Sequence, residues 1–167
     1  VLGSLFAHAR IGNIDTRAAK ALPGVLAVIT ARDLEGLSIY YGDVVKDEPI
    51  LATDKVRYQG EPVAAVAAVD RATAEEAANL IRVDYDPLPA IPNLDAALAP
   101  NASLIHEAFP PGASNEQILK GSNVLYHTAY KTGDVEKGFA EADAIFEDEF
   151  NFPRVHHYRI ESSSALA

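Results

Sequence analysis

Cysteine, methionine and tryptophan are absent from the 167 residues. Without cysteine the chain cannot build a disulfide framework, a thiolate nucleophile, a zinc knuckle or a Cys-ligated iron–sulfur cluster. That absence fits a reducing compartment, so a cytoplasmic location is expected. Long apolar runs are missing too. None approaches the roughly 18 residues of a membrane span, and no signal-peptide pattern opens the chain. Positive charge is scarce: 14 Lys and Arg stand against 24 Asp and Glu, a formal charge of −10. Nucleic acid is held by neutralising its phosphates, so this balance argues against it as a partner, and equally against an anionic membrane surface. Met is missing at position 1 as elsewhere. The chain stops at Glu161-Ser162-Ser163-Ser164-Ala165-Leu166-Ala167 with no capping or tail-like composition. An excised or processed piece is expected.

What is present is enough for a core, with 49% hydrophobic residues. Residues 5–14 alternate as a strand. Asp15 or Thr16 can cap a short helix that Pro23-Gly24 stops. Val25 to Ile29 reads as a buried strand, and Thr30-Ala31-Arg32-Asp33 as a turn or short helix. Leu37 to Glu48 reads as a loop with short extended pieces. Lys55 to Gln59 and Val63 to Val69 are strands on either side of Gly60-Glu61-Pro62, a turn in which Gly supplies unusual angles and Pro fixes φ. Asp70 caps a helix over 72–81 whose Ala74, Ala77, Ala78 and Ile81 share one face. Arg82 to Asp86 is a strand with Val83 and Tyr85 on one side. Leu94 to Leu98 is a short helix, with Asn93 or Asp95 in its first turn. Asn123 to Lys131 looks extended, Val135 to Glu141 helical with Asp134 as its cap, and Ala144 to Tyr158 alternates as a long strand. That strand places Phe146, Phe150 and Phe152 on one face.

The series Pro49-Ile50-Leu51-Ala52-Thr53-Asp54-Lys55, then Val56-Arg57-Tyr58-Gln59-Gly60-Glu61-Pro62-Val63-Ala64-Ala65-Val66-Ala67, then Val83-Asp84-Tyr85-Asp86-Pro87-Leu88-Pro89-Ala90 resembles the α/β-hammerhead domain of the aldehyde oxidase/xanthine dehydrogenase family. Upstream, Ala7-His8-Ala9-Arg10-Ile11, Ile14-Asp15-Thr16, Ala18-Ala19 and Leu22-Pro23-Gly24-Val25 resemble the opening strand, helix and second strand of that domain. Downstream, Gly133-Asp134-Val135-Glu136 and Phe139-Ala140-Glu141-Ala142-Asp143 resemble the lead into the cofactor-binding part. The resemblance covers nearly the whole chain through the order and spacing of its motifs. Tyr40 to Ala52 looks closest to the xanthine dehydrogenase and hydroxybenzoyl-CoA reductase branches.

The expected class is therefore α+β. It is an α/β-hammerhead with a small mixed sheet and two or three packing helices, followed by a truncated helix–strand piece of the molybdopterin-binding region. Residues 1–98 would form the hammerhead. Residues 99–122, with Pro100, Pro110, Pro111, Gly112 and Gly121, would be a linker. Residues 123–167 would be the first fragment of the molybdopterin-binding domain, too small to close a core of its own.

The candidate chemistry is thin. His156 and His157 are adjacent in an expected strand and point to opposite faces, so they cannot share a simple metal site; His106-Glu107 and His127 lie elsewhere. His157 to Glu161 resembles a family pattern that continues into a Pro-Arg-Gly-like turn, but Ser162, Ser163 and Ser164 stand there instead. A packing or backbone-positioning role is expected for Glu161. The serines lack a Gly-x-Ser-x-Gly elbow, and Gly133-Asp134 lacks a phosphate-loop pattern. Glu61 reads as a turn or interdomain contact rather than a catalytic carboxylate. Asp84 and Asp86 face solvent together. No catalytic, cofactor-binding or metal-ligating residue is assigned to this chain.

The resemblance implies a parent oxidoreductase that hydroxylates or reduces aldehyde, N-heterocyclic or aromatic substrates at a molybdenum–pterin centre. It also implies [2Fe–2S] clusters and FAD in partner domains or subunits. The segment itself is expected to be a non-catalytic scaffold and interface, joined to the rest of the molybdopterin-binding domain, with a homodimer as a candidate assembly. A self-contained binding module is the alternative, and a small hydrolase using the carboxylates a weaker one.

Overall fold

The computed structural model describes residues 1–42, 45–109, 121–125, 127–152, 155 and 160. The chain forms two compact units, Val1–Thr128 and Ala129–Ala167.

The first unit is built on short strands, all paired antiparallel among the described residues. β1 (Leu2–Gly3), β2 (Ala9–Asp15), β3 (Val25–Thr30), β4 (Tyr40–Tyr41), β5 (Glu48–Pro49), β6 (Lys55–Val56), β7 (Pro62–Ala68) and β8 (Arg82–Pro87) form three small sheets, ordered β1-β7-β3, β6-β2-β8 and β4-β5. The α+β class expected from the sequence is the class observed. The helices are α1 (Arg17–Ala21), α2 (Arg71–Leu80) and α3 (Leu94–Leu98), with a 3₁₀ turn at Ala31–Leu34.

Small side chains set how closely these layers meet. Ala19, Ala64 and Ala77 are fully buried beside Val28 and Ile81, so α2 packs on β7 and α1 with little between the backbones. A second cluster joins Ala9, Ala52, Val56 and Val63. Ile14 and Val83 belong to both clusters and make the core continuous. Each buried valine or isoleucine is worth roughly 1.5–3 kcal/mol of transfer free energy.

The caps follow local chemistry. Asp70 accepts from the Thr73 amide at 2.8 Å and Asn93 from the Ala96 amide at 2.9 Å. Each satisfies an orphan first-turn donor. At α1 the cap geometry falls on Thr16, whose side chain makes no cap bond, while Asp15 Oδ1 accepts from the Arg17 amide at 3.0 Å.

Several expectations are corrected. The strand expected over 5–14 starts at Ala9 rather than residue 5, because Ser4 and Phe6 close a local turn through the Ser4 hydroxyl. The strand from Lys55 ends at Val56. There the Arg57 amide leaves the ladder and donates to the Glu61 carboxylate. β3 is an edge strand, with Val28 buried and Leu26 72% exposed, so it is not covered on both faces.

In the second unit α4 (Val135–Glu141) forms where expected, with Asp134 Oδ1 accepting from the Lys137 amide at 3.1 Å. The strand expected over 144–158 is absent among the described residues. Phe146, Phe150 and Phe152 are 88%, 76% and 85% exposed. Alternation in sequence is only half of a strand; the other half is a neighbouring ladder to take its amides and carbonyls. Tyr158 lies outside the described residues.

Candidate functional site

The polar groups of the first unit converge around the segment that leads into the Gly60-Glu61-Pro62 turn. Antiparallel pairing of β2 with β6 sets Arg10 opposite Lys55. Lys55 is fully buried. Its ammonium lies 3.2 Å from Glu107 Oε2 and donates to the Leu104 carbonyl at 3.1 Å. The other oxygen of Glu107 accepts from Arg10 Nη2 at 3.1 Å. Burial pulls the Glu107 carboxyl upward, but the hydrogen bond from Lys55 and the charges of Lys55 and Arg10 prevail and hold it below its usual range.

Arg57 extends the network. Its guanidinium donates to the Lys55 carbonyl at 3.1 Å and contacts Asp54 at 3.4 Å, while Nε is buried without a partner. Burial raises the Asp54 carboxyl, but the Arg57 charge and local hydrogen bonds lower it further. Glu61, 2% exposed, is held by the Arg57 amide. Burial nevertheless pushes its pKa above the ordinary carboxylate value. The turn role read for Glu61 is the one it plays here.

His106 closes the far side. Its Nε2 is 3.3 Å from Asp47 Oδ2, and its ring stacks on Phe109 with centroids 5.1 Å apart. Burial depresses its pKa, helped by the Arg57 and Lys55 charges and opposed by Asp47 and Asp54. Beside it lies a cavity of about 190 Å³ lined by Tyr40, Asp47, Thr53, Asp54, Arg57 and His106, among others. Just before β2, His8 is buried, donates from Nδ1 to the Pro89 carbonyl at 2.8 Å, and keeps Nε2 unpartnered.

This arrangement ties segments of the one chain to each other. The carboxylates of Asp47, Asp54 and Glu107 face cations or histidine, Lys55 is sealed from solvent, and Glu61 is engaged by backbone. The Thr53 hydroxyl donates to Asp54 Oδ1 at 3.2 Å, a contact between chain neighbours. Among the described residues no group of three His, Cys, Asp or Glu has the arrangement of a metal site.

The other predicted residues scatter. Asp84 and Asp86 are exposed on β8, and His127 is exposed. Asp134 serves as the α4 cap. His156, His157, Glu161, Ser162, Ser163 and Ser164 lie outside the described residues. Sequence reading gave no role to His8, Arg10, Asp47, Asp54, Lys55 or Arg57. A signal was available at Asp54-Lys55-Val56-Arg57: three charges in a stretch flanked by apolar strands have to be paired when buried.

Small antiparallel sheets with α1 and α2 packed against them, followed by a separate helical unit, define an α+β hammerhead architecture. Residues 1–89 match the model for the aldehyde oxidase and xanthine dehydrogenase a/b hammerhead domain, and residues 118–167 match the molybdopterin cofactor-binding domain. The chain belongs to the aldehyde oxidase and xanthine dehydrogenase family.

Among its relatives, a probable xanthine dehydrogenase subunit of Bacillus subtilis is 37% identical over 100% of this chain and 20% of that protein. The carbon monoxide dehydrogenase large chain of Afipia carboxidovorans is 39% identical over 98% of this chain and 21% of that protein. The chain thus spans about a fifth of the length of these curated relatives. Among solved structures it is similar to a Cu,Mo-CO dehydrogenase, with TM-score 0.66, 37% identity and coverage of 86% of this chain and 18% of that one. It is likewise similar to the aldehyde oxidoreductase of Desulfovibrio gigas, with TM-score 0.61, 32% identity and coverage of 86% and 15%.

The matched cofactor-binding stretch is described over 121–125, 127–152, 155 and 160. Its α4 spans seven residues, and Gly133 opens onto space rather than a cradle. The described residues do not by themselves fit a molybdenum–pterin group. Among them no helix is long and apolar enough to cross a membrane.

Proposed function

We propose that this chain is the hammerhead and first cofactor-domain segment of a molybdopterin-dependent oxidoreductase, acting as scaffold and interface while chemistry occurs in sequence beyond it. The observation that carries the reading is the order of the two matched regions along one chain, hammerhead at 1–89 and molybdopterin cofactor-binding at 118–167. The site supports it, since its charges are spent on internal pairing. The proposed division is 1–98 hammerhead, 99–122 linker and 123–167 cofactor-domain fragment. The whole protein hydroxylates or reduces aldehyde, N-heterocyclic or aromatic substrates in the cytoplasm, with [2Fe–2S] and FAD in partner domains or subunits.

The test is elemental and cofactor analysis of the polypeptide purified from its native source, beside the 167-residue chain alone. Molybdenum is expected in the first and absent from the second. Stoichiometric molybdenum in the isolated chain, or none in the native protein, overturns the reading.

A further inference from the structure

We infer that Asn123 is a positioning residue that pins the start of the cofactor-binding region to the hammerhead body. The matched regions leave residues 90–117 unassigned, yet part of that interval is firmly tied. Asn123 Oδ1 accepts from the Ile105 amide at 2.9 Å. Its Nδ2 donates to the Ala97 carbonyl at 3.1 Å and the Ser103 carbonyl at 3.0 Å. One side chain therefore uses its acceptor and both amide hydrogens on three backbone groups. Those groups come from the end of α3 and from the strap that follows it.

The same strap is tied at a second point. Leu104 O takes the buried Lys55 ammonium, and Glu107 is shared by Lys55 and Arg10. Three consecutive backbone groups, Ser103 O, Leu104 O and Ile105 N, thus bond alternately to Asn123 and to Lys55. The strap lies between a sheet residue on one side and a residue of the cofactor-binding match on the other. The chain leaves the hammerhead at a fixed place, because a backbone held on both sides cannot slide without breaking bonds to each.

The observable is amide exchange in the 167-residue chain. In Asn123→Ala the Ile105 amide should exchange about tenfold faster, the change that loss of one to two net hydrogen bonds gives. The amides of Ile11 and Ala52, which donate to Asp54 O and Pro62 O within the sheet region, should keep their parent rates. An Ile105 rate unchanged in Asn123→Ala overturns the pin. So does a rise shared equally by Ile11 and Ala52, which would mark general loosening rather than release of the strap.

Discussion

Lys55 and Glu107 form an ion pair of 3.2 Å in which the cation is fully buried and the carboxylate is half exposed. Removing the carboxylate leaves the ammonium with the Leu104 carbonyl but without its paired anion. Glu107→Ala should destabilise the chain by about 1–2 kcal/mol, less than the roughly 3–5 kcal/mol of a pair buried on both sides. Because the folded Glu107 carboxyl is depressed, its contribution is present above the unfolded carboxylate pKa and is lost as pH falls through the folded one. Urea denaturation of parent and variant at neutral and acid pH checks both. Equal midpoints at neutral pH would show that the pair adds nothing.

His106 gives a second pH dependence. Its folded pKa lies below the ordinary value, chiefly through burial. The unfolded chain therefore takes up a proton near pH ~6.5 that the folded chain declines. Stability is complete above that pH and falls as acid carries the site toward its lower folded value. His106→Phe keeps a ring against Phe109 and should flatten this slope. A slope identical to the parent's would place its origin elsewhere.

Glu61 behaves in the opposite sense. Burial raises its folded pKa, so this group favours the folded state most when protonated and disfavours it as pH rises through the unfolded value. Glu61→Gln keeps an acceptor for the Arg57 amide without the buried charge. At pH 7 it should match or exceed the parent in thermal midpoint. A clear drop would mean that the negative charge itself holds the turn.

Gly60 has φ +89°, and a Cβ there would meet nothing within 4 Å. The cost of a side chain is thus purely conformational. Gly60→Val should destabilise by more than about 1 kcal/mol, whereas Gly60→Asn, which tolerates the left-handed region, should cost less. Equal stabilities of the valine variant and the parent would place the turn elsewhere.

Phe146, Phe150 and Phe152 leave large apolar area in water. The isolated chain should self-associate, and a variant with serine at all three positions should remain monomeric by light scattering. A monomeric parent would refute this.

Legibility in the sequence followed the range of the interaction that fixes each feature. Asp70, Asn93 and Asp134 were readable as caps because each acts on an amide three residues away. The α2 stripe was readable from its period. The 144–158 strand was misread because its pattern carries no information about a neighbour. The bond that ends the strand at Val56 needs Glu61 to turn inward, which alternation does not encode. Lys55 was missed because its anion lies in the segment read as linker. Between Ile11 and Ile14 the β2–β8 register also shifts, so both isoleucines reach the core although simple alternation would separate them.

The N-terminal strands have a consequence for synthesis. His8 meets Pro89 across 81 residues, and Arg10 meets Glu107 across 97. At the roughly 5–20 residues per second of translation, these partners emerge on the order of ten seconds after the strand that needs them. During that interval Ala9, Ile11 and Ile14 have no ladder on the β8 side. β2 thus waits for partners 81 and 97 residues further along, and a nascent-chain chaperone would find its apolar residues available meanwhile.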